Sequence, residues 1–326
     1  MDGLNDTQRY FVEEHIEDFR DGLIGRRELI RRVAIVVGTA TAATTLLAAC
    51  DLSPRATATT SPTAAVATAS PTQGLVAQPF ATPPPAATTD GITVRENDPR
   101  ITVSMPEIKG ADGVSLMAYV AKPNASGRVP GVMVIHENRG QTEHIRDVVR
   151  RAATAGFVAV NIDLTARQGG GDKLGDAVTG VIGNLALQQK LADHTAALTY
   201  LKANTSGAIG VVGFCFGGGE VWNLLAAGAD LKAAVPFYGP QPSNYQDIGS
   251  KTKAATLAVY AEQDTRITST APQMEEQLKK AGVPNQISIF PGVNHAFHND
   301  TGARYAPEAA QKAWVDTINW FRKYLA

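Results

Sequence analysis

The chain has 326 residues, 44% of them hydrophobic, and a formal net charge of −1. This near-neutral balance excludes a general affinity for nucleic acid, so no nucleic-acid partner is expected. The only two cysteines, Cys50 and Cys215, are too few for a disulfide scaffold or a zinc site. Each cysteine therefore requires an explanation of its own.

Residues 1–49 have the layout of an export signal. Residues 1–25 are polar and weakly amphipathic, the pair Arg26-Arg27 follows, and the apolar run 33–49 is too short for a stable membrane span. The run ends in Leu47-Ala48-Ala49-Cys50, so that the whole resembles a twin-arginine signal with a bacterial lipobox. The resemblance implies removal of residues 1–49, lipid attachment at Cys50 and anchoring on the outer face of the cytoplasmic membrane. An uncleaved N-terminal anchor helix is the alternative.

Residues 50–90 are dominated by Ala, Thr, Pro and Ser. Such a segment has too few large apolar side chains to offset the entropy cost of folding, and its prolines keep it extended. We predict a disordered tether and leave residues 1–90 out of the fold prediction.

Residues 91–326 are predicted to form one α/β domain. Continuous apolar runs predict strands that are covered on both faces, at 129–136, 157–162, 208–214, 233–238, 256–260 and 286–290. Helical patterns lie between them, at about 142–155, 184–203, 218–228, 271–281 and 307–325. An antiparallel pair near 101–103 and 116–121 precedes them. The alternation predicts a mostly parallel sheet flanked by helices on both faces, with its chemistry at the carboxyl ends of the strands.

Residues 213–219 read Gly-Phe-Cys-Phe-Gly-Gly-Gly, between a predicted strand and a predicted helix. This is the pattern of the nucleophile elbow, with Cys215 in the place of the nucleophile. Glycine at 213 and 217 permits the tight turn, and the helix N-terminus favours a thiolate. The N–H of Phe216 is expected to face a developing oxyanion. A glycine-rich turn with a passive buried cysteine is the alternative.

The acid and the base are expected after later strands. Asp264 follows strand 256–260, with Glu262 as the second choice, and His295 follows strand 286–290. The order of nucleophile, acid and base is that of the α/β-hydrolases. We predict that His295 takes the proton of Cys215, that Asp264 orients His295, and that a thioester forms and is hydrolysed.

Two further segments complete a resemblance to the dienelactone hydrolase family (carboxymethylenebutenolidase-like). They are residues 136–140, His-Glu-Asn-Arg-Gly, and 163–168, Asp-Leu-Thr-Ala-Arg-Gln. Together with the elbow and the loop of His295, they extend the resemblance over roughly residues 95–326. The resemblance implies an α/β-hydrolase fold and hydrolysis of an enol lactone or related activated ester.

The resemblance also implies individual roles. The carboxylate of Glu137 would hydrogen-bond the resting thiol until substrate displaces it and helps to generate the thiolate. The backbone N–H of Asn138 would share the oxyanion hole with that of Phe216, and Arg167 would contact a substrate carboxylate. One position departs from the family: the arginine expected four residues after the histidine is Asn299. General ester or lactone hydrolysis is therefore the more secure expectation than hydrolysis of dienelactone itself.

The remaining histidines indicate no further site. His144 and His194 have no companions at metal-ligand spacing, so no metal and no cofactor are expected, and His298 is expected at the surface. Two alternatives to the small ester or lactone hydrolase stay open: a carboxylesterase or thioesterase of other specificity on the same site, and a non-catalytic ligand-binding lipoprotein.

Overall fold

The computed structural model describes residue 1 and residues 3–50, 52–53, 93–125 and 127–326. The predicted tether lies outside these residues except for Cys50, Leu52 and Ser53. The strands are β1 (Ile101–Ser104), β2 (Glu107–Lys109), β3 (Ser115–Pro123), β4 (Gly131–Ile135), β5 (Val158–Ile162), β6 (Ile209–Phe214), β7 (Ala233–Phe237), β8 (Ala255–Ala261) and β9 (Asn285–Phe290).

These strands form one nine-stranded sheet in the order β1-β3-β5-β4-β6-β7-β8-β9, with β2 paired to β3. β1, β2 and β5 pair antiparallel with β3, and the pairs from β5 to β9 are parallel. Every residue of β4 to β8 is buried, as expected for strands covered by helices on both faces. The predicted α/β-hydrolase arrangement is confirmed.

Wherever the sequence predicted a helix, the observed helix begins and ends close to the predicted residues. They are α1 (Asp6–Arg20), α2 (Arg26–Val37), α3 (Ala40–Ala48), α4 (Glu143–Thr154), α5 (Gly171–Leu174), α6 (Val178–Asn184), α7 (Leu187–Asn204), α8 (Phe216–Ala227), α9 (Ile248–Lys251), α10 (Thr265–Thr268), α11 (Ala271–Ala281) and α12 (Pro307–Leu325). Short 3₁₀ turns occupy Ala166–Gln168, Gly175–Ala177 and Tyr245–Asp247.

The first two helices pack against the sheet domain, by which we mean residues 93–326, and α3 packs against α2. α1 and α2 both contact α6. Tyr10, Phe11 and Val12 of α1 are buried, as are Leu29 and Val33 of α2. Residues 1–49 stand outside the fold prediction because their sequence resembles an export signal, and their amphipathic pattern does not reveal which surface the helix covers.

No single helix in the described part of the chain is long and apolar enough to cross a membrane. The pair α2 and α3 passes that test only when taken together, and it is bent by 113° at the break.

Candidate active site

The turn between β6 and α8 places Cys215 above the carboxyl edge of the sheet. Cys215 has φ 58° and ψ −122°, a strained conformation for a residue with a side chain. A Cβ on Gly213 would lie 2.2 Å from the carbonyl oxygen of Gly217, and one on Gly217 would lie 2.5 Å from that of Ile135. Only glycine fits at either position, so the spacing of the elbow follows from steric exclusion.

Asp264 and His295 meet at the ends of the neighbouring strands β8 and β9. Asp264 Oδ2 lies 2.6 Å from His295 Nδ1, and both residues are buried. A ring nitrogen of His295 lies within 4.8 Å of Cys215 Sγ. The structure thus brings together the three residues that the sequence placed after separate strands. Glu262, the second choice for the acid, instead accepts a hydrogen bond from the N–H of Gly292 at 2.8 Å.

Burial and charge together set the protonation of these groups. Burial raises the pKa of the Cys215 thiol well above its usual range, and the carboxylates of Glu14 and Glu137 add to the rise. Burial alone would lower the pKa of His295, but Asp264 outweighs it, so the pKa lies above its usual value. The thiol is therefore protonated in this arrangement, and the imidazole is well supported as a proton acceptor.

Glu137 lies beside the site, but its hydrogen-bond partner is not the thiol. Its Oε2 accepts from Nδ2 of Asn299 at 2.6 Å, and its Oε1 is buried with no partner among the described residues. Burial raises the pKa of Glu137 above the usual carboxyl value. Asn299 is the position that departs from the family. It hydrogen-bonds the carboxylate of Glu137, which by the resemblance would hydrogen-bond the thiol.

The N-terminal helix α1 supplies two side chains that were not predicted from the sequence to lie in the site. Tyr10 Oη lies 3.2 Å from Cys215 Sγ and 3.3 Å from His295 Nε2. The carboxylate oxygens of Glu14 lie 3.6 and 3.5 Å from the same sulfur. The only available signal was the weak amphipathicity of residues 1–25, which marks a helix face but names no partner for it.

Of the two backbone N–H groups predicted to face a developing negative charge, that of Phe216 lies at the sulfur of Cys215. The N–H of Phe216 hydrogen-bonds the sulfur and opposes the rise in its pKa. Asn138 adjoins Glu137 and lines the same cavity, and its side-chain Nδ2 donates to Glu14 Oε1 at 3.0 Å. The side chain of Asn138 thereby fixes Glu14 next to the thiol.

Arg167 is engaged by two carboxylates. Its guanidinium donates to Asp193 at 2.5 and 2.8 Å and to Asp112 at 2.9 to 3.1 Å. It is not among the residues that line the cavity at Cys215. An exposed arginine, Arg139, does line this cavity.

This cavity has a volume of about 530 Å³. Cys215, Glu137, Asn138 and Asn299 contribute to its walls from the sheet domain, and α1 and α2 supply other parts, including Glu14 and Arg32. The volume is that of a small-molecule site, and its lining is rich in polar groups.

One group of potential metal ligands occurs among the described residues. It consists of Glu14, Cys215 and His295, whose ligand atoms all lie within 4.8 Å of one another. No metal is expected from the sequence, in which Glu14 lies within the predicted export signal and no pattern brings it near Cys215. The Tyr10 hydroxyl lies between the sulfur and the imidazole, in hydrogen-bonding contact with both.

The expectation for His298 was wrong. His298 is buried, and its ring stacks on Phe214 with ring centroids 4.8 Å apart. Burial lowers the pKa of His298 well below its usual value, so the ring is neutral and serves as part of the core. A single histidine in a loop carries no sequence signal that separates these two environments.

Comparison with known proteins finds relatives that match most of the sheet domain. The model of the Dienelactone hydrolase family matches residues 116–325. A protein of Methylorubrum extorquens, provisionally named carboxymethylenebutenolidase, is 34% identical over 228 residues, which are 65% of this chain and 78% of that protein. A Bradyrhizobium protein, provisionally named 2-oxo-3-(5-oxofuran-2-ylidene)propanoate lactonase, is 30% identical over 231 residues, 66% of this chain and 92% of that protein.

A solved structure agrees with this result. The crystal structure of a protein from Klebsiella pneumoniae, provisionally described as a dienelactone hydrolase, superposes with a TM-score of 0.63 at 30% identity. The match covers 69% of this chain and 99% of that one. The matched family region begins at β3, so α1 and α2 lie outside it.

Proposed function

Because this chain belongs to the dienelactone hydrolase family and is thus a hydrolase of esters or lactones, we propose that it cleaves a small ester or lactone of the dienelactone type through Cys215, His295 and Asp264. The observation that carries the proposal is the 2.6 Å contact between Asp264 and His295, with a nitrogen of His295 within 4.8 Å of a sulfur held on the elbow. Nucleophile, base and orienting acid are thus neighbours in one buried site.

The first half of the reaction forms an acyl-enzyme. His295 accepts the thiol proton, and the sulfur attacks the carbonyl carbon to form a C–S bond. The N–H groups of Phe216 and Asn138 stabilise the oxyanion. The bond to the leaving oxygen then breaks, that oxygen takes the proton from His295, and a thioester to Cys215 remains.

The second half of the reaction releases the acid. His295 accepts a proton from water, whose oxygen attacks the thioester carbon, and the C–S bond breaks as the sulfur regains a proton. Asp264 keeps the proton on Nδ1 of His295 throughout, so that Nε2 is free to exchange protons. In a lactone, the leaving oxygen stays attached to the acyl chain, and the product is a single hydroxy acid or its keto form.

Substrate recognition is the part of the proposal that rests on the resemblance. By the resemblance to the family, Arg167 would contact a carboxylate of the substrate. Glu137 would move towards the thiol when substrate binds. Asn299 supplies one hydrogen bond to Glu137 in place of an arginine that would bind an anion. This favours substrates with fewer negative charges, including simple esters.

The catalytic proposal is tested with p-nitrophenyl acetate and an enol lactone. We expect Cys215→Ala to abolish hydrolysis of both, and Cys50→Ser, which alters the other free cysteine, to leave the rate unchanged. Equal rates for the wild type and Cys215→Ala would overturn the proposal and favour a non-catalytic ligand-binding lipoprotein. Hydrolysis of thioesters or bulky esters in preference to lactones would assign the same site to a carboxylesterase or thioesterase.

We also propose that the protein is exported and anchored by lipid at Cys50. The support is the order Arg26-Arg27, apolar run and Leu47-Ala48-Ala49-Cys50. Mass spectrometry of the membrane fraction should detect a lipid-modified N-terminal Cys50. A chain that keeps residues 1–49 in that fraction would instead indicate the uncleaved anchor, and a Cys50→Ser variant that is retained equally well would exclude the lipid as the anchor.

A further inference from the structure

The contact between α1 and the elbow covers the nucleophile. Cys215 is 2% exposed, and the ring of Phe11 packs edge-on against the ring of Phe216, with centroids 5.6 Å apart. Tyr10, Phe11 and Val12 are themselves buried by this packing. The cavity therefore gives a substrate access to very little of the Cys215 side chain while α1 keeps this position.

The polar groups of α1 occupy positions that the reaction needs. The Tyr10 hydroxyl contacts both the sulfur and Nε2 of His295, at 3.2 and 3.3 Å. A reacting carbonyl must come within about 3–3.5 Å of the nucleophile, a space that this oxygen already fills. Glu14 takes up another side of the sulfur, and its negative charge disfavours the thiolate.

The same segment is fixed to the rim of the site by charged contacts. Arg304 donates to Asp18 and Asp21 of the N-terminal segment, each at 2.8 Å. Arg31 of α2 pairs with Asp176 at 2.8 Å. These pairs surround the cavity, so the packing of α1 and α2 is specific in charge as well as in shape.

A glycine in α6 permits α2 to approach closely. A Cβ at Gly180 would lie 2.4 Å from the carbonyl oxygen of Ile35 in α2. At Gly183, one turn further along the same helix, the nearest atom to such a Cβ would be an aromatic carbon of Phe11 at 3.5 Å, an ordinary contact. The sheet domain thus carries a surface shaped to the backbone of α2.

We propose that residues 6–37 are an intramolecular inhibitor of this hydrolase, and that Cys215 reacts only in the fraction of molecules in which this segment has left the site. The inference rests on the proposed function for the identity of the site. Arg26 and Arg27 stay exposed in the covered form, so a receptor that reads this pair can bind without uncovering the thiol. Cleavage before Cys50 would remove the inhibitor from the sheet domain.

The test uses the full chain in a Cys50→Ser background, in which Cys215 is the only thiol. Gly180→Ala places a methyl group against the backbone of α2 and strengthens α6 as a helix, and Gly183→Ala is the matched control on the same helix. The readouts are the rate of Cys215 alkylation by iodoacetamide and kcat/KM on p-nitrophenyl acetate. We expect Gly180→Ala to raise both by about tenfold or more, and Gly183→Ala to change them by less than about twofold.

A second variant is needed because a small shift of α2 could relieve the clash at position 180 without moving the segment out of the site. Phe11→Glu combined with Leu29→Glu places charges at two fully buried positions of the segment and leaves the sheet domain unaltered. Hydrogen exchange over residues 6–37 reports whether the segment has left. Suppose that hydrogen exchange shows that the segment has left the site. If the rates of alkylation and hydrolysis then stay the same or fall, the proposal of an inhibitor is overturned, even if hydrolysis itself persists. Faster alkylation without any ester hydrolysis supports the inhibitor and contradicts the proposed function.

Discussion

Asp264→Asn tests the proposed site most directly, because it keeps the shape of the side chain and removes its charge. Asp264 Oδ2 lies 2.6 Å from His295 Nδ1, and the two residues are only 6% and 5% exposed. When His295 takes the thiol proton, the imidazolium forms where water cannot replace the lost carboxylate. An amide can also donate to Nδ1, which forces the proton onto Nε2 and blocks its role as a base.

The size of the effect follows from the nucleophile. The corresponding change in a serine triad lowers kcat by about 10⁴. A thiol ionises more easily than a hydroxyl and depends less on its base. We therefore expect a loss of about 10²–10³ in kcat/KM, or about 3–4 kcal/mol of transition-state stabilisation.

The assay is hydrolysis of p-nitrophenyl acetate, with Gly180→Ala as the background so that access to Cys215 does not limit the rate. Glu262→Gln is the control, because Glu262 is exposed and contacts the N–H of Gly292 rather than His295. A loss below about tenfold for Asp264→Asn, or an equal loss for Glu262→Gln, would refute the assignment of Asp264 as the orienting acid.

Three further substitutions test the surroundings of the site. Arg167→Gln leaves the buried Asp193 without its partner at 2.5 Å and should cost about 3 kcal/mol in urea denaturation; unchanged stability would contradict this, and a higher KM confined to carboxylate-bearing esters would support the contact with substrate. Burial alone would raise the pKa of Glu220, but Lys190 and His194 outweigh burial and lower this pKa from 4.5 to about 2. The lowered pKa contributes about 3 kcal/mol to the free energy of unfolding above pH 4.5, and this contribution is lost as the pH falls towards 2. Glu220→Gln should therefore destabilise the protein at pH 7 and do so progressively less below pH 4.5. A difference in stability that is constant with pH would exclude the ion pair as the cause. Gly217→Ala brings a methyl group 2.5 Å from a carbonyl oxygen at the end of β4 and should lower stability by about 2 kcal/mol and reduce kcat; a fully active, equally stable variant would show that the turn can relax.

Local sequence patterns were enough to predict the sheet domain and to place Cys215, Asp264 and His295 after their strands. Continuous apolar runs fix strands that are buried on both faces, and parallel strands deliver the residues that follow them to one edge of the sheet. The need for glycine at Gly213 and Gly217 is likewise predictable from the sequence, because steric exclusion at a tight turn acts over a few neighbouring residues.

The surroundings of the thiol depend on long-range packing that no local pattern predicts. That Tyr10 and Glu14 lie against Cys215, some 200 residues away in sequence, depends on which surface an amphipathic helix covers. The pairing of Asn299 with Glu137 depends in the same way on how two loops meet. Local patterns encode the faces of helices and strands, whereas the partner of each face is chosen by shape and charge complementarity across the folded chain.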